Sequence, residues 1–191
     1  PAEPRSYCGR PVIKEPSWTP EIPVYFFTGG LAGASAGLAF AARLTGRRKL
    51  ARAATANAFA GIAVSPLLLI SDLGKPTRFL NMLRVFKWRS AMSMGVWTLF
   101  LFSGLAGSAY VLVAGWAFLL HAGVSATLLR GILAALLVGT ALSGVILATY
   151  TGVLLGATAV PAWSAHHKLL PFHFGIVGLG SAAAILELLG F

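Results

Sequence analysis

The sequence predicts an all-α integral membrane protein, a helical bundle with about five transmembrane helices. Hydrophobic residues make up 57% of the 191 residues and charged residues only 10%, whereas soluble domains contain roughly 25% charged residues. About 20 apolar residues in a helix cross the hydrocarbon core of a bilayer. Five runs meet or approach that length, at residues 23–43, 52–71, 94–120, 131–157 and 172–191. We therefore expect an extramembrane segment at 1–22 and one transmembrane domain at 23–191.

Small residues recur inside these runs and predict close contact between helices. The first run contains TGGLAGASAG, the third SGLAGSA and the fourth GTALSG. Lipid provides no hydrophobic drive for helices to associate, so small residues that let backbones approach take on that role. Pro66 lies inside the second run. Because proline lacks an N–H, we expect it to kink this helix or to unwind its last turn.

The charge of the chain is strongly basic, at a formal +10. The basic residues lie at the ends of the apolar runs, which favours anionic lipid headgroups or an acidic partner over nucleic acid. We call the membrane side of the N-terminus side A and the opposite side B. Five crossings then give side A nine basic residues and side B six. The count favours a cytoplasmic side A, whereas the compact GRRKLAR at 46–52 favours a cytoplasmic side B, so both orientations stay open.

The stretch SDLGKPTRFLNMLRVFKWRS at 71–90 joins the second and third runs on side A. Apolar residues recur there at helical spacing after Pro76, with basic residues on the other face. This pattern predicts an amphipathic helix at about 77–89 that lies in the membrane interface and is anchored by Trp88. Asp72 and Lys75 precede it at the membrane boundary, where an ionisable residue is a candidate for function.

Other polar side chains fall at the same depth and predict a pocket between helices at side A. These residues are Tyr25, Thr28, Tyr150, Trp163, His166, His167 and His173. Anchoring of the aromatic residues in the interface and solvation of the histidines are the alternative interpretations. Glu187 is the carboxylate that lies furthest inside an apolar run. Proton transfer and a polar contact between helices both remain open for it.

Several kinds of cofactor site are not supported by the sequence. Cys8 is the single cysteine, so no disulfide and no four-cysteine iron–sulfur cluster can form within this chain. Histidine does not occur near the middle of any apolar run, where paired ligands of a membrane haem would lie. We therefore expect no haem and no metal in this chain.

Three stretches resemble the NrfD/PsrC family, the quinone-interacting membrane subunits of multi-subunit redox enzymes such as polysulfide reductase. They are YCGRPVIKEPSWTPEIPVYFFTGGLAG (7–33), LLISDLGKPTRFLNMLRVFKWRSAMSMGVW (68–97) and YTGVLL…AVPAW (150–163). The string DLGKPTRFLNMLRVFK is the most specific of them. Members usually have eight or more transmembrane helices, so five helices predict the N-terminal part of such a subunit or a shortened member.

The resemblance implies that the first four helices form a quinone-binding bundle at one membrane face. Menaquinone or ubiquinone would be the cofactor, with no haem. An iron–sulfur electron-transfer subunit would dock over that face, together with further redox subunits. The protein would then be a multi-pass protein of the bacterial cytoplasmic membrane, and analogy favours side A facing outward.

The resemblance also implies roles for individual residues. Tyr150 matches the quinone-site tyrosine of the family, and Asp72 and Lys75 lie in its signature, where they would exchange protons with the quinone. The histidine and asparagine that some members carry near the start of the first helix are absent here. The residues expected to contact the cofactor are Tyr25, Thr28, Arg78, His166 and His173, and those expected to contact the partner are Arg84, Lys87 and Arg89.

Three hypotheses about function follow. The first is a quinone-reactive subunit that passes electrons between the quinone pool and an iron–sulfur partner. The second is a membrane anchor that has no quinone site and no catalytic role of its own. The third is a proton-translocating module in which Asp72 and Glu187 carry the protons.

Overall fold

The structure, a computed structural model, describes residues 19–72, 75, 77–158 and 160–191. Most of the expected extramembrane segment and parts of all three motifs, including Gly74 and Pro76 of the signature, therefore lie outside the described residues. Eight helices occur in the described part of the chain. They are α1 (Glu21–Leu44), α2 (Arg48–Asp72), α3 (Arg78–Arg84), α4 (Ala91–Ala114), α5 (Trp116–His121), α6 (Ala126–Gly156), α7 (Pro161–Ala165) and α8 (Leu170–Leu188).

Five of these helices, α1, α2, α4, α6 and α8, are long and apolar enough to cross a membrane. No strand occurs among the described residues. The predicted all-α membrane bundle of five long helices is therefore confirmed. Its outer surface exposes large apolar side chains, among them Phe27, Phe100, Leu101, Leu142, Phe172 and Ile176. Such a surface is expected where the surrounding solvent is lipid.

Helix α1 is the centre of the bundle and packs against α2, α6 and α8, while α4 packs against α6 and α2. A short turn joins α1 to α2, and its Gly46 has a φ of +74°, a backbone conformation that glycine adopts at little cost. Successive long helices are antiparallel. The start of α1 consequently lies beside the ends of α2 and α6 on side A.

The backbones of α1 and α6 approach each other closely where the two helices cross. A Cβ atom on Gly33 would lie 2.3 Å from the carbonyl oxygen of Gly144, and one on Gly144 would lie 2.6 Å from the carbonyl oxygen of Gly33. Both glycines belong to small-residue motifs of the sequence. The motif SGLAGSA packs differently, because a Cβ atom on Gly104 would have nothing within 4 Å and Ala106 and Ala109 are the buried residues.

Several hydroxyl groups inside the helices, although not that of the buried Thr151, are bonded to the helix backbone. Thr55 donates to the carbonyl of Ala51 over 2.8 Å, and Ser143 to that of Gly139 over 2.7 Å. This local bonding satisfies polar side chains where water is absent. Asn57 instead bridges helices, since its Nδ2 donates to Ser35 Oγ over 2.9 Å.

The interfacial helix is shorter than the predicted 77–89, because α3 ends at Arg84. Val85 is extended, with φ −128° and ψ 117°. The chain then packs the Phe86 ring edge-on against Trp97, with 6.0 Å between the ring centroids. Ser90 caps α4, since its Oγ accepts the N–H of Ser93. These two contacts need an extended connection between α3 and α4. Residues 85–89 are therefore not helical, although their apolar residues recur at helical spacing.

Two further boundaries differ from expectation. The third run, predicted as 94–120, is divided at Gly115 into α4 and α5. Helix α2 continues past Pro66 to Asp72, so its last turn is not unwound. Pro66 leaves the carbonyl of Ile62 without a helical donor, and the helix retains its other bonds around that position.

The contact between α1 and α6 generates a prediction about stability. We expect Gly33→Ala to destabilise the protein by about 1–3 kcal/mol, because the new methyl group meets backbone that cannot move aside. Gly37→Ala is the matched control on the same helix, since nothing lies within 4 Å of that position. Alanine favours a helix by up to about 1 kcal/mol over glycine, so the control should be neutral or stabilising. Thermal unfolding of the purified protein in detergent measures both, and equal effects would contradict the close contact.

Candidate functional site

A cavity of about 120 Å³ lies at the side A end of the bundle. Helices α1, α2, α3, α4 and α6 all contribute to its wall. Three polar residues line it, one each from α1, α2 and α6: Tyr25, Asp72 and Tyr150. The remaining lining is apolar and includes Phe26, Leu69, Met82, Met92 and Val96. An apolar cavity with a few convergent polar groups is the usual form of a small-molecule site.

The two tyrosines meet across the contact between α1 and α6. Tyr25 is 2% exposed and Tyr150 is 9% exposed, and their hydroxyl groups are hydrogen-bonded to each other. A phenol hydroxyl both donates and accepts, so either tyrosine can serve as the donor. The pair therefore places a hydroxyl group with unused bonding capacity at the cavity wall.

Gly95 on α4 leaves the space in which the Tyr150 ring lies. A Cβ atom on Gly95 would be 2.1 Å from Cε2 of Tyr150 and 2.7 Å from Cζ. Any side chain at this position would therefore displace the ring. Gly95, together with its neighbour Val96 in the cavity wall, fixes where the Tyr150 hydroxyl points.

Asp72 is the last residue of α2 and lies half-buried between the cavity and the surface of side A. Its Oδ1 accepts a hydrogen bond from Oγ1 of Thr19, just before α1 begins. This bond ties the start of α1 to the end of α2. Asp72 thus borders both the cavity and the polar surroundings.

Helix α3 covers the cavity on side A. Met82, near the middle of this seven-residue helix, and Met92, in the first turn of α4, both line the cavity. Methionine side chains are flexible and adapt to irregular shapes. The side chains of Met82 and Met92 can therefore adjust to a ligand while the long helices keep their positions.

The other predicted cofactor residues do not line this cavity. Thr28 Oγ1 lies 2.9 Å from Ser65 Oγ. This hydrogen bond joins α1 to α2 about one helical turn from Tyr25, towards the middle of the bundle. Lys75, His166 and His173 are all exposed. His166 Nδ1 is 2.8 Å from the carbonyl oxygen of Ala162, a local bond within its own segment.

The remaining predicted residues lie elsewhere. Arg78 begins α3, but its side chain is outside the described part. The basic residues Arg84, Lys87 and Arg89 are exposed on side A, and the Arg89 guanidinium lies 5.0 Å from the centre of the Trp88 ring. Glu187 is exposed in the last turn of α8. It therefore lies at the side B end, remote from the cavity.

Sequence reasoning missed the apolar lining of the cavity. Phe26, Leu69 and Met92 resemble any other apolar residue of a transmembrane helix. For two lining residues the sequence offers one signal, their spacing from a polar residue. Leu69 precedes Asp72 by three positions and Leu154 follows Tyr150 by four, which places each pair on one helix face. Gly95 gave no signal at all, since its role depends on a ring from another helix.

Among the residues that the structure describes, no group of three histidine, cysteine or acidic side chains could hold a metal ion. The polar groups that line the side A cavity are two phenol hydroxyls and one carboxylate. A family model described as "Polysulphide reductase, NrfD" matches residues 12–190 of this chain.

The chain belongs to the NrfD family. The resemblance seen in the motifs is thereby confirmed over nearly the whole sequence. NrfD proteins are helical membrane subunits of redox complexes, associated with quinones in general and with iron–sulfur subunits as typical partners. This NrfD chain is accordingly a multi-pass membrane protein and a membrane subunit of a redox complex. Comparison with curated proteins and with solved structures gave no match.

A double-mutant cycle tests whether Gly95 makes room for Tyr150. We expect Gly95→Ala alone to destabilise the protein by about 1–3 kcal/mol. In a Tyr150→Leu background the same change should cost less, with a coupling energy of about 0.5–3 kcal/mol, because the smaller side chain leaves the space free. Gly104→Ala, on the same helix with nothing within 4 Å, should have the same effect in both backgrounds. Thermal unfolding in detergent provides the four stabilities, and purely additive effects would disprove the contact.

Proposed function

We propose that this NrfD chain binds the head ring of a quinone or quinol in the side A cavity. From there it passes electrons between the membrane quinone pool and an iron–sulfur partner subunit. The observation that carries the proposal is the convergence of Tyr25, Asp72 and Tyr150 on one apolar cavity. The three residues come from different helices and are far apart in the sequence.

The walls of the cavity support a ring-shaped ligand. The cavity volume is about 120 Å³, which is smaller than the roughly 150 Å³ apolar cavity that takes up benzene, so a quinone ring needs the flexible Met82 and Met92 side chains to move aside. The side chains of Phe26, Leu69 and Val96 offer apolar surface to a ring. Menaquinone and ubiquinone both present such a ring with carbonyl oxygens at its edge, and both fit this description.

Tyr150 is the residue suited to orient the ring. Its hydroxyl can donate to a carbonyl oxygen while it accepts from Tyr25, so one proton on each phenol satisfies both bonds. Gly95 holds the Tyr150 ring in place from behind. A hydrogen bond in a site without water discriminates more strongly than one at a wet surface.

Asp72 is suited to move protons between the cavity and the surface. A bound quinone supplies two-electron chemistry in which protons are gained or lost. A half-buried carboxylate at the cavity rim accepts or donates such a proton and exchanges it with water on side A. Thr19 keeps one carboxylate oxygen oriented, which leaves the other free for this exchange.

The exposed basic residues at the end of α3 and just after it support a partner on the same side. Arg84 is the last residue of the helix that covers the cavity, and Lys87 and Arg89 follow it. We propose that an acidic surface of the iron–sulfur subunit docks there, with further redox subunits attached through it. Docking at this position would bring the partner's cluster close to the quinone. It also agrees with side A facing outward from a bacterial cytoplasmic membrane and with residues 1–22 lying outside the membrane.

The two alternative functions make different predictions about the same residues. A structural anchor needs neither the tyrosine pair nor Asp72. A proton-translocating module needs Glu187, but this residue is exposed at the far end of α8. Glu187→Gln should therefore leave both quinol turnover and proton movement unchanged under our proposal, whereas translocation through Glu187 predicts loss of proton movement with quinone chemistry intact.

Conservative variants of the cavity test the quinone site. We expect Tyr150→Phe to weaken quinone retention by about 2- to 10-fold, the value of one hydrogen bond. Asp72→Asn keeps the acceptor for Thr19 but removes proton exchange, so quinol turnover should fall by about 100-fold or more with quinone still bound. The measurements are quinone content and quinol-analogue turnover of the purified complex.

Tyr110→Phe is the matched control for these variants. The Tyr110 ring stacks on Phe59 in the half of the bundle towards side B, with centroids 4.4 Å apart, so the control should behave as the wild type. If the complex assembles and all variants retain full turnover, the chain is an anchor and the proposal is wrong.

Charge reversal tests the docking surface. We expect the double variant Lys87→Glu/Arg89→Glu to reduce co-purification of the iron–sulfur subunit by about 10-fold or more, with a larger effect at low salt, because opposite charges steer and hold such complexes. The control Arg47→Glu/Lys49→Glu makes the same charge change on side B. Equal loss in both variants would point to a general effect of charge and would contradict a specific surface on side A.

A further inference from the structure

A second cavity, of about 100 Å³, lies at the opposite end of the bundle on side B. Four arginines from three helices line it: Arg43 at the end of α1, Arg48 and Arg52 in the first two turns of α2, and Arg130 in the second turn of α6. Arg43 is half-buried and the other three are exposed. The neighbouring Arg47 and Lys49 are exposed as well but do not line the cavity.

The charges at this cavity are not compensated within it. Among the described residues that line it, none is acidic, and arginine stays protonated at every physiological pH. Four like charges that converge on one concavity raise each other's energy and create a strong positive potential. Such a cluster is stabilised when an anion occupies it.

The positions of the arginines on their helices add a second argument. Positive side chains are favourable at the C-terminus of a helix and unfavourable at its N-terminus. Arg48 begins α2, and Arg130 lies near the start of α6, so both stand at positive ends of helix dipoles. An anion between them would interact favourably with the arginines and with both helix ends.

The inner part of the cavity is apolar. Leu133 and Leu137, one and two turns deeper on α6, are buried, and Val113 and Trp116 complete this wall. The distance from Arg130 to Leu137 along α6 is about 10 Å. The cavity is therefore charged at its mouth and apolar towards the membrane interior, and tryptophan is typical of the boundary between the two.

We propose that this side B cavity binds the phosphate group of an anionic membrane phospholipid. Arginine forms paired hydrogen bonds to phosphate oxygens, and the apolar inner wall would contact the start of an acyl chain. This wall favours a lipid over an acidic protein segment, whose polar backbone it would leave without partners. The site is separate from the quinone cavity on side A and does not depend on the function proposed there.

Native mass spectrometry of the purified full-length protein in detergent tests the site. The probes are phosphatidylglycerol and phosphatidylcholine with identical acyl chains. The variant Arg52→Gln/Arg130→Gln removes two lining charges, and Arg47→Gln/Lys49→Gln removes two charges beside the cavity on the same side. Unfolding temperatures in lipid-free detergent verify that each variant is folded, and Arg48→Gln provides a second lining variant if the first is unstable.

We expect the lining variant to bind phosphatidylglycerol roughly 25-fold more weakly, since each basic residue near an anionic lipid contributes about fivefold. The control variant should bind it within about twofold of the wild type, and phosphatidylcholine should bind weakly to all three proteins. Equal loss in both variants would overturn the site. Displacement of the lipid by millimolar inorganic phosphate would show that free phosphate is the ligand and would equally overturn the lipid assignment.

Discussion

The backbone contact between α1 and α6 determines the geometry of the whole side A end. Gly33 and Gly144 let the two helices touch. About two turns further towards side A, the spacing is still small enough for Tyr25 and Tyr150 to share a hydrogen bond. Larger residues at the crossing would separate the two phenols. Close packing of small residues is thus a condition for the polar pair, and the pair in turn defines one wall of the cavity.

The five long helices could be predicted from the sequence because a bilayer imposes a length and a composition on each crossing. Tyr25, Asp72 and Tyr150 could be predicted because polar residues are rare at membrane depth. The apolar lining could not be predicted, because lipid-facing and cavity-facing residues have the same chemistry. Leu69 and Met92 therefore cannot be distinguished in the sequence from residues that face lipid. The end of α3 was missed for another reason. The Phe86–Trp97 contact and the Ser90 cap outweigh the helical periodicity of 85–89.

The two ends of the bundle differ in charge and in the ligands they suit. On side A, the cavity wall contains one carboxylate and two phenols, which suit the proton exchange that we propose there. On side B, four arginines surround a cavity in which no acidic residue was found among those described. Arginine does not release its proton, so side B is suited to hold an anion and not to proton chemistry. The counts of basic residues on the two sides are similar, at nine and six. Our proposals nevertheless give these residues different roles, which are partner docking on side A and phosphate binding on side B.

The segment from α3 to Ser90 connects the cavity on side A to the surface on which a partner would dock. Met82 in this segment lines the cavity, whereas Arg84, Lys87 and Arg89 point outward. Its far end is held by the Phe86–Trp97 contact and by the cap of α4, while its near end follows Asp72. A partner that binds the basic residues would restrict the same short segment that covers the cavity.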